Sequence, residues 1–167
     1  MAQPGKDEDD DVLRTLMLPF AEDLLPRLEG ARVLMLNARA SAALPAEARG
    51  WRLQQDFRPR VDALAAEGLE ATPELPSGEF DFVFLPAPRQ RQHGRALLAQ
   101  AWSRLAKGGV LVACAGNDAG GRSLQGDMPG RARRRRPGPT SRASTGAATS
   151  ARAAAGWWRP KAIASPR

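Results

Sequence analysis

Apolar residues near the amino end of the chain recur at the i, i+4 spacing of an amphipathic helix. The members of this pattern, which starts after Asp11, are Val12, Leu13, Leu16, Met17, Phe20, Leu24 and Leu28. Pro19 predicts a kink or a restart of the helix, and Gly30 predicts its end. Residues 1–10 are polar and acidic, and they predict a disordered lead-in.

Short apolar runs predict the strands of a sheet. Runs without polar alternation are typical of strands that are buried on both faces, as in parallel sheets. The predicted strands are 31–37, 51–56, 79–85 and 110–115, with 69–72 as a poor further candidate. The predicted helices between them are 38–49, 59–68 and 91–106, the last of which is closed by Lys107, Gly108 and Gly109.

The alternation of strands and helices predicts a parallel sheet with right-handed crossovers. The fold class is therefore α/β, with three layers around a mostly parallel sheet. About 115 residues, 11–125, are enough for one such domain with a modest core.

Both hydrophobic patterns stop near Gly126. The 42 residues 126–167 contain 10 Ala and 10 Lys+Arg but only one acid, Asp127. Residues 126–167 therefore carry a charge of +9, whereas residues 1–125 carry −2, and the two make up the total of +7. The predicted domain is mildly acidic, and the tail, with few aliphatic residues, is predicted to be disordered.

Several kinds of site are excluded or disfavoured by the residue inventory. Cys114 is the only cysteine, which excludes an intrachain disulfide and a cysteine-based metal cluster, and its apolar neighbours predict a buried thiol. His93 is the only histidine, so no histidine metal set is expected and an exposed helix residue is predicted. The acidic start is unlike a signal peptide, and no apolar stretch approaches the roughly 20 residues that cross a bilayer. We therefore expect a cytoplasmic protein.

A strand of the type Phe80-Asp81-Phe82-Val83-Phe84 is followed by a helix that ends in Leu105-Ala106-Lys107-Gly108-Gly109 and leads directly into Val110-Leu111-Val112. This arrangement resembles the fourth strand, the following helix and the fifth strand of class I S-adenosylmethionine-dependent methyltransferases. The resemblance implies an incomplete fold of that class.

Three short segments narrow the resemblance to one family. They contain Pro86 and Pro88 after the fourth strand, Leu97-Leu98 in the helix, and Asn117, Asp118, Gly120 and Gly121 after the fifth strand. Together they look like the N-terminal domain of bacterial 16S rRNA guanine-N2 methyltransferases, over roughly residues 28–125. That family has two tandem domains, of which the first is a degenerate copy and the second binds the cofactor and transfers the methyl group.

The chain departs from the pattern of active members at two places. Active members have a glycine-rich turn after the first strand, but the matching stretch, Leu36 to Ser41, has no glycine. Active amino-methylating members end the fourth strand with Asn or Asp, then Pro-Pro and an aromatic residue. The sequence here, Leu85-Pro86-Ala87-Pro88, has neither the polar acceptor nor the aromatic ring. The resemblance therefore implies a domain that does not transfer methyl groups.

Remnants of a cofactor site are Asn37 after the first strand and Asp56 at the end of the second. An acid at the position of Asp56 commonly holds ribose hydroxyls in such folds, although a solvated loop acid is the alternative. S-adenosylmethionine is implied by the family only, and we expect this chain not to bind it. The loop of Asn117, Asp118, Gly120 and Gly121 fits either an anion-binding turn or an ordinary strand-to-helix turn.

Basic residues offer two candidate contacts with RNA. Arg89, Arg91 and Arg95 precede or lie on the long helix, where they either contact RNA phosphates or form a solvated face. In the tail, the run Arg133, Arg134, Arg135 and Arg136 fits a basic arm that grips phosphates. The alternative is that the tail is a frameshift product that replaced the rest of a larger enzyme, because its composition matches GC-rich codons in a wrong frame. Sequencing the gene beyond codon 126 tests this alternative.

The function that this sequence predicts is that of an N-terminal, non-catalytic domain of an rRNA guanine-N2 methyltransferase, with a structural or RNA-holding role. The expected partners are rRNA or the ribosomal subunit and the absent catalytic domain, and no membrane; a homodimer through an uncovered sheet edge is a further option. Two alternatives stay open. One is a free-standing RNA-binding adaptor that uses the basic tail, and the other is an active small methyltransferase.

Overall fold

The structure is a computed structural model, and it describes residues 4–25, 28–116, 127 and 154–158. Its elements in chain order are α1 (Pro4–Ala21), β1 (Val33–Met35), a 3-10 helix (Ala46–Gly50), β2 (Arg52–Gln54), α2 (Arg58–Ala66), β3 (Ala71–Thr72), β4 (Phe80–Pro86), α3 (Arg91–Ser103), β5 (Leu105–Ala115) and β6 (Ala154–Trp158). The strands form one sheet in the order β3-β2-β1-β4-β5-β6.

The first five strands pair in parallel, as the sequence predicted. Strand β6 pairs antiparallel with β5, with Leu111 opposite Trp158 and Ala115 opposite Ala154. The strand order changes direction between β1 and β4, because the chain first moves outward through β2 and β3 and then returns to the other side of β1. The sheet is therefore mostly parallel and has a switch point at β1 and β4.

Each face of the sheet buries its own hydrophobic core. Neighbouring residues of a strand point to opposite faces, so Phe82 and Phe84 belong to one core and Val83 and Leu85 to the other. The first core also takes in side chains of α1 and α2, namely Val12, Leu13, Leu16, Met17 and Leu64. The second core takes in Leu97, Leu98 and Ala101 of α3. The prediction of three layers is confirmed.

Four aromatic rings close the face beneath α1. Trp51 stacks on Phe84 with ring centroids 5.2 Å apart. Phe20 forms T-shaped pairs with Phe82 and Phe84, with ring centroids 5.6 and 5.4 Å apart. Such pairs contribute about 0.5–1.5 kcal/mol each beyond their buried area. The end of α1 is thereby attached to the middle of the sheet.

Helix α1 differs from its predicted bounds at both ends. It begins at Pro4, and thus includes seven residues of the segment for which the sequence predicted no regular structure. Acidic residues are favourable in the first turns of a helix because they face the positive end of its dipole. The helix ends at Ala21, soon after Pro19, and Asp23 then takes a positive φ of 53°.

No helix covers most of 38–49, where one was predicted. The only helical turn in this segment is the 3-10 helix at Ala46–Gly50. The reason is that the preceding residues bond to neighbouring strands: the Ala38 N–H donates to the Gln54 carbonyl at 3.0 Å, and Arg39 donates to the Ala87 carbonyl. The chain after β1 thus runs along the carboxyl edge of the sheet.

The boundary between α3 and β5 lies earlier than predicted. Helix α3 ends at Ser103, and β5 already begins at Leu105, which pairs with Phe80. Gly109 lies within β5, where a Cβ would come within 2.9 Å of the Ala106 carbonyl oxygen. Gly108, with φ +80°, accompanies a register shift between Phe80 and Phe82. The two glycines therefore form an irregularity of the strand, and they do not close the helix.

Most of the predicted tail lies outside the described residues. Within 126–167 the structure describes Asp127 and β6, a strand for which the sequence contained no signal. No helix in the described part of the chain combines the length and the apolarity needed to cross a membrane.

Candidate functional site

Open parallel sheets bind ligands in the crevice at the carboxyl ends of their strands, where the strand order reverses. In this chain that crevice lies between the ends of β1 and β4. It is bordered by Asn37, two residues after β1, and by Pro86, the last residue of β4. Asn37 has a positive φ of 51°, a conformation that Asn adopts more readily than most residues.

The Asn37 side chain crosses the crevice. It is buried, and its Nδ2 donates a hydrogen bond to the Pro86 carbonyl oxygen at 2.7 Å. Its Oδ1 accepts a hydrogen bond from Arg60 Nη1 at 3.1 Å, and its backbone N–H donates to Gln54 Oε1 at 3.3 Å. Asn37 therefore joins the ends of β1, β2 and β4 and the start of α2.

Arg39 makes a second bond across the same gap. Its side chain is 7% exposed, and Nη2 donates to the Ala87 carbonyl oxygen at 3.2 Å. The Ala87 N–H in turn donates to the Cys114 carbonyl at 2.7 Å, which holds the end of β4 against β5. The two carbonyls at the end of β4, those of Pro86 and Ala87, are thus both bonded to side chains from the segment after β1.

Two consecutive buried amides, Gln54 and Gln55, fill the end of β2. Gln54 Nε2 donates to the Pro73 carbonyl at 3.0 Å, and Gln55 Nε2 donates to the Ala38 carbonyl at 2.7 Å. Gln55 Oε1 accepts from the Phe57 N–H at 3.0 Å. Burying an amide without a hydrogen-bond partner costs free energy. These bonds therefore favour a single arrangement of the edge of the sheet.

Sequence reasoning missed this role of Gln54, Gln55 and Arg39. The available signal was the pair of uncharged amides at the carboxyl end of a predicted strand, where amide side chains meet backbone groups of the neighbouring loops. Arg39 had no such signal, because its burial depends on the end of β4, 48 residues further along the chain.

The two predicted remnants of a cofactor site, Asn37 and Asp56, line one cleft. Strand β2 ends at Gln54, so Asp56 lies two residues beyond it and is exposed. The cleft has a volume of about 180 Å³, and its other lining residues are Gln54, Pro73, Leu75, His93, Ala96, Leu97 and Gln100. Sites for ligands of drug-like size usually measure roughly 300–1,000 Å³.

Two features of the described crevice residues are unfavourable for S-adenosylmethionine. A glycine turn would let the backbone approach the cofactor, but Asn37 has a side chain there that is bonded to Pro86. The cleft beside Asp56 is also smaller than a ligand of that size requires. Asp56 is placed where it could meet a ribose, but the cleft that the described residues form beside it measures only about 180 Å³.

The remaining predicted site residues are placed as follows. Pro88 is half-buried just after β4, and His93 is exposed on α3, as predicted. Asn117, Asp118, Gly120, Gly121 and Arg133–Arg136 lie outside the described residues. Cys114 is fully buried, and its burial raises the pKa of the thiol to about 12, as expected for a structural cysteine.

No protein-family model and no curated protein matches this sequence. Solved structures do match its fold. A proposed methyltransferase from Pseudomonas syringae superposes with a TM-score of 0.55 at 16% identity, covering 89% of this chain and 96% of that one. The 16S rRNA N2 methyltransferase RsmC of Thermus thermophilus, solved with AdoMet and guanosine, superposes with a TM-score of 0.62 at 19% identity.

The superposition on RsmC covers 98% of this chain but only 43% of the Thermus enzyme. At such identities the likeness concerns the fold alone. The chain therefore shares its mostly parallel α/β fold with these two methyltransferases.

Proposed function

We propose that this chain is a methyltransferase-like domain that does not transfer methyl groups, equivalent to the N-terminal domain of bacterial 16S rRNA guanine-N2 methyltransferases. Its role is to hold RNA or to support a catalytic domain. The observation that carries this proposal is the pair of hydrogen bonds by which Asn37 and Arg39 occupy the Pro86 and Ala87 carbonyls.

Methylation of an exocyclic amine requires acceptors that hold the amine in place at the end of β4. A side-chain acceptor is missing in Leu85-Pro86-Ala87-Pro88. Each of the two backbone carbonyls already accepts a hydrogen bond from a buried side chain, and freeing one would remove that bond from the Asn37 amide or the Arg39 guanidinium. Such a loss costs about 1–3 kcal/mol for a neutral group and more for a charged one.

The partial coverage of RsmC supports a role within a larger assembly. The fold of this chain corresponds to less than half of RsmC, an rRNA methyltransferase. A domain of this kind would pack on a catalytic half, with rRNA as the shared ligand. Neither partner is required for the sheet of this chain to bury both of its faces.

Titration calorimetry with S-adenosylmethionine tests the absence of a cofactor site. We expect no binding in the micromolar range, because Asn37 fills the position of the glycine turn. Micromolar binding that is lost in Asp56→Ala would overturn the proposal. Asp62→Ala is the matched control, since Asp62 is also an exposed acid but lies away from the cleft on α2.

The charge distribution favours one second candidate, an RNA-binding adaptor that uses the tail. Residues 126–167 carry +9 against −2 for the rest of the chain. Replacing Arg133–Arg136 by Gln should then abolish most RNA affinity and lower the salt slope by about 2.8, at about 0.7 per phosphate contact. This change is preferable to deletion of the tail, because deletion would also remove β6 from its pairing with β5.

A further inference from the structure

Two arginines on α3 hold the carboxylate of Asp127. Arg91 binds it with both arms of its guanidinium: Nε donates to Oδ2 and Nη2 to Oδ1, each at 2.9 Å. Arg95, one helical turn further on, brings its Nε to 3.8 Å from Oδ1. The bond with Arg91 lowers the pKa of Asp127, so the carboxylate is ionised at neutral pH.

The three side chains differ in their access to solvent. Asp127 is 9% exposed, whereas Arg91 and Arg95 are 64% and 66% exposed. The arginines therefore keep most of their surface open to another anion. Forked guanidinium bonding of this kind suits phosphate as well as carboxylate, because both present two oxygens at a similar separation.

The position of Asp127 in the chain links this cluster to the basic tail. Asp127 is the only acid of residues 126–167, and the run Arg133–Arg136 begins six residues later. Six residues span at most about 20 Å. The cluster on α3 and the arginine run are therefore connected through a short stretch of sequence.

We propose that Arg91 and Arg95 form a phosphate site for the RNA backbone and that Asp127 is its built-in competitor. This inference rests on the RNA-holding role proposed above. An ion pair whose arginines remain about two-thirds exposed contributes only about 0–1 kcal/mol. RNA can displace the carboxylate because each phosphate contact is driven by counterion release.

Binding of a short fluorescent single-stranded RNA, measured over a range of KCl concentrations, tests the competitor. Asp127→Asn should raise the affinity about two- to fivefold at low salt, which corresponds to the loss of an ion pair of at most 1 kcal/mol. The salt slope should steepen by about 0.7 for each phosphate gained. Asp62→Asn is the control, because it also replaces one carboxylate by an amide and so makes the same change in net charge. It breaks the Arg58–Asp62 ion pair on α2 and leaves the cluster on α3 intact.

A second set of variants identifies the site. Adding Arg91→Gln and Arg95→Gln to Asp127→Asn should remove the gain, whereas adding Arg58→Gln should not. Equal RNA affinities of wild type, Asp127→Asn and Asp62→Asn would contradict the proposal that Asp127 competes with RNA. They would not contradict the RNA-holding role. Absence of RNA binding in all of them would overturn both. If Asp127→Asn gains affinity for inorganic phosphate but not for RNA, the assignment to RNA is wrong.

Discussion

Asn37 shows at the scale of one residue how a ligand crevice can be closed from within. Its positive φ turns the chain back along the edge of the sheet, and its amide then reaches the end of β4. A glycine would make the same turn but would leave the crevice open. The side chain of Asn37, together with that of Arg39, thus closes the gap at the switch point.

Asn37→Asp should destabilise the protein by about 1–3 kcal/mol at neutral pH, because the introduced carboxylate cannot donate to the buried Pro86 carbonyl. The introduced carboxylate still accepts from Arg60, now in a charge-assisted bond, so the net loss sets a lower limit on the contribution of the bond to Pro86. The deficit should shrink as pH falls, since a protonated carboxyl can donate again. Urea unfolding at several pH values measures it. Gln100→Glu, an exposed amide of the same cleft, should change stability by less than about 0.5 kcal/mol; an equal loss there would contradict the explanation.

Candidate residues could be identified from the sequence only by their position at strand ends. Asn37 and Asp56 follow predicted strands, and the structure places both at one cleft. The bonds from Asn37 to Pro86 and from Arg39 to Ala87 join residues 49 and 48 positions apart. Local spacing contains no information about such pairs, which depend on the register of β1 beside β4.

At the scale of elements, the spacing of apolar residues along the chain located most of the helices and strands. Tertiary contacts decided where these elements end. The register of β4 with β5 pairs Phe80 with Leu105 and moves the start of β5 before the two glycines. Bonds to β2 and β4 keep the segment after β1 from forming the predicted helix. Helix α1, by contrast, shows its predicted apolar face, with Leu13 and Leu16 fully buried.

Leu16→Ala should destabilise the protein by about 2–5 kcal/mol, because it leaves a cavity between α1 and the sheet. Leu18→Ala makes the same chemical change two residues away, at a position that is 42% exposed. It should alter stability by no more than about 0.5 kcal/mol. Thermal or urea unfolding compares the two variants, and similar losses would mean that α1 does not pack on the sheet as described.

At the scale of the whole molecule, the sheet buries a core on each face, and Cys114 lies in β5, which pairs with β4 on one side and with β6 on the other. It is fully buried, with its thiol pKa raised to about 12. As the only cysteine of the chain, it is a single internal probe of opening.

Cys114 should react with a thiol reagent such as DTNB only when the sheet opens, so labelling in native buffer should follow the rate of unfolding. Urea should bring the reaction to completion at once. Stability should also fall as pH rises from about 9 towards 12, because the unfolded thiol ionises in that range while the folded one does not. Rapid labelling of the native protein would contradict the burial of β5. Cys114→Ser should abolish the signal.

By itself, the sequence determined the α/β class, the alternation of strands and helices that gives a parallel sheet, the buried thiol and the absence of glycine after β1. These properties depend on residue type and on spacing over a few positions, which are directly readable. Only the tertiary structure decided that Asn37 and Arg39 occupy the carbonyls at the end of β4, that Asp127 lies on Arg91, and that a five-residue segment of the tail pairs with β5. Each of these joins residues more than 30 positions apart, and such contacts depend on how the layers pack and on strand register.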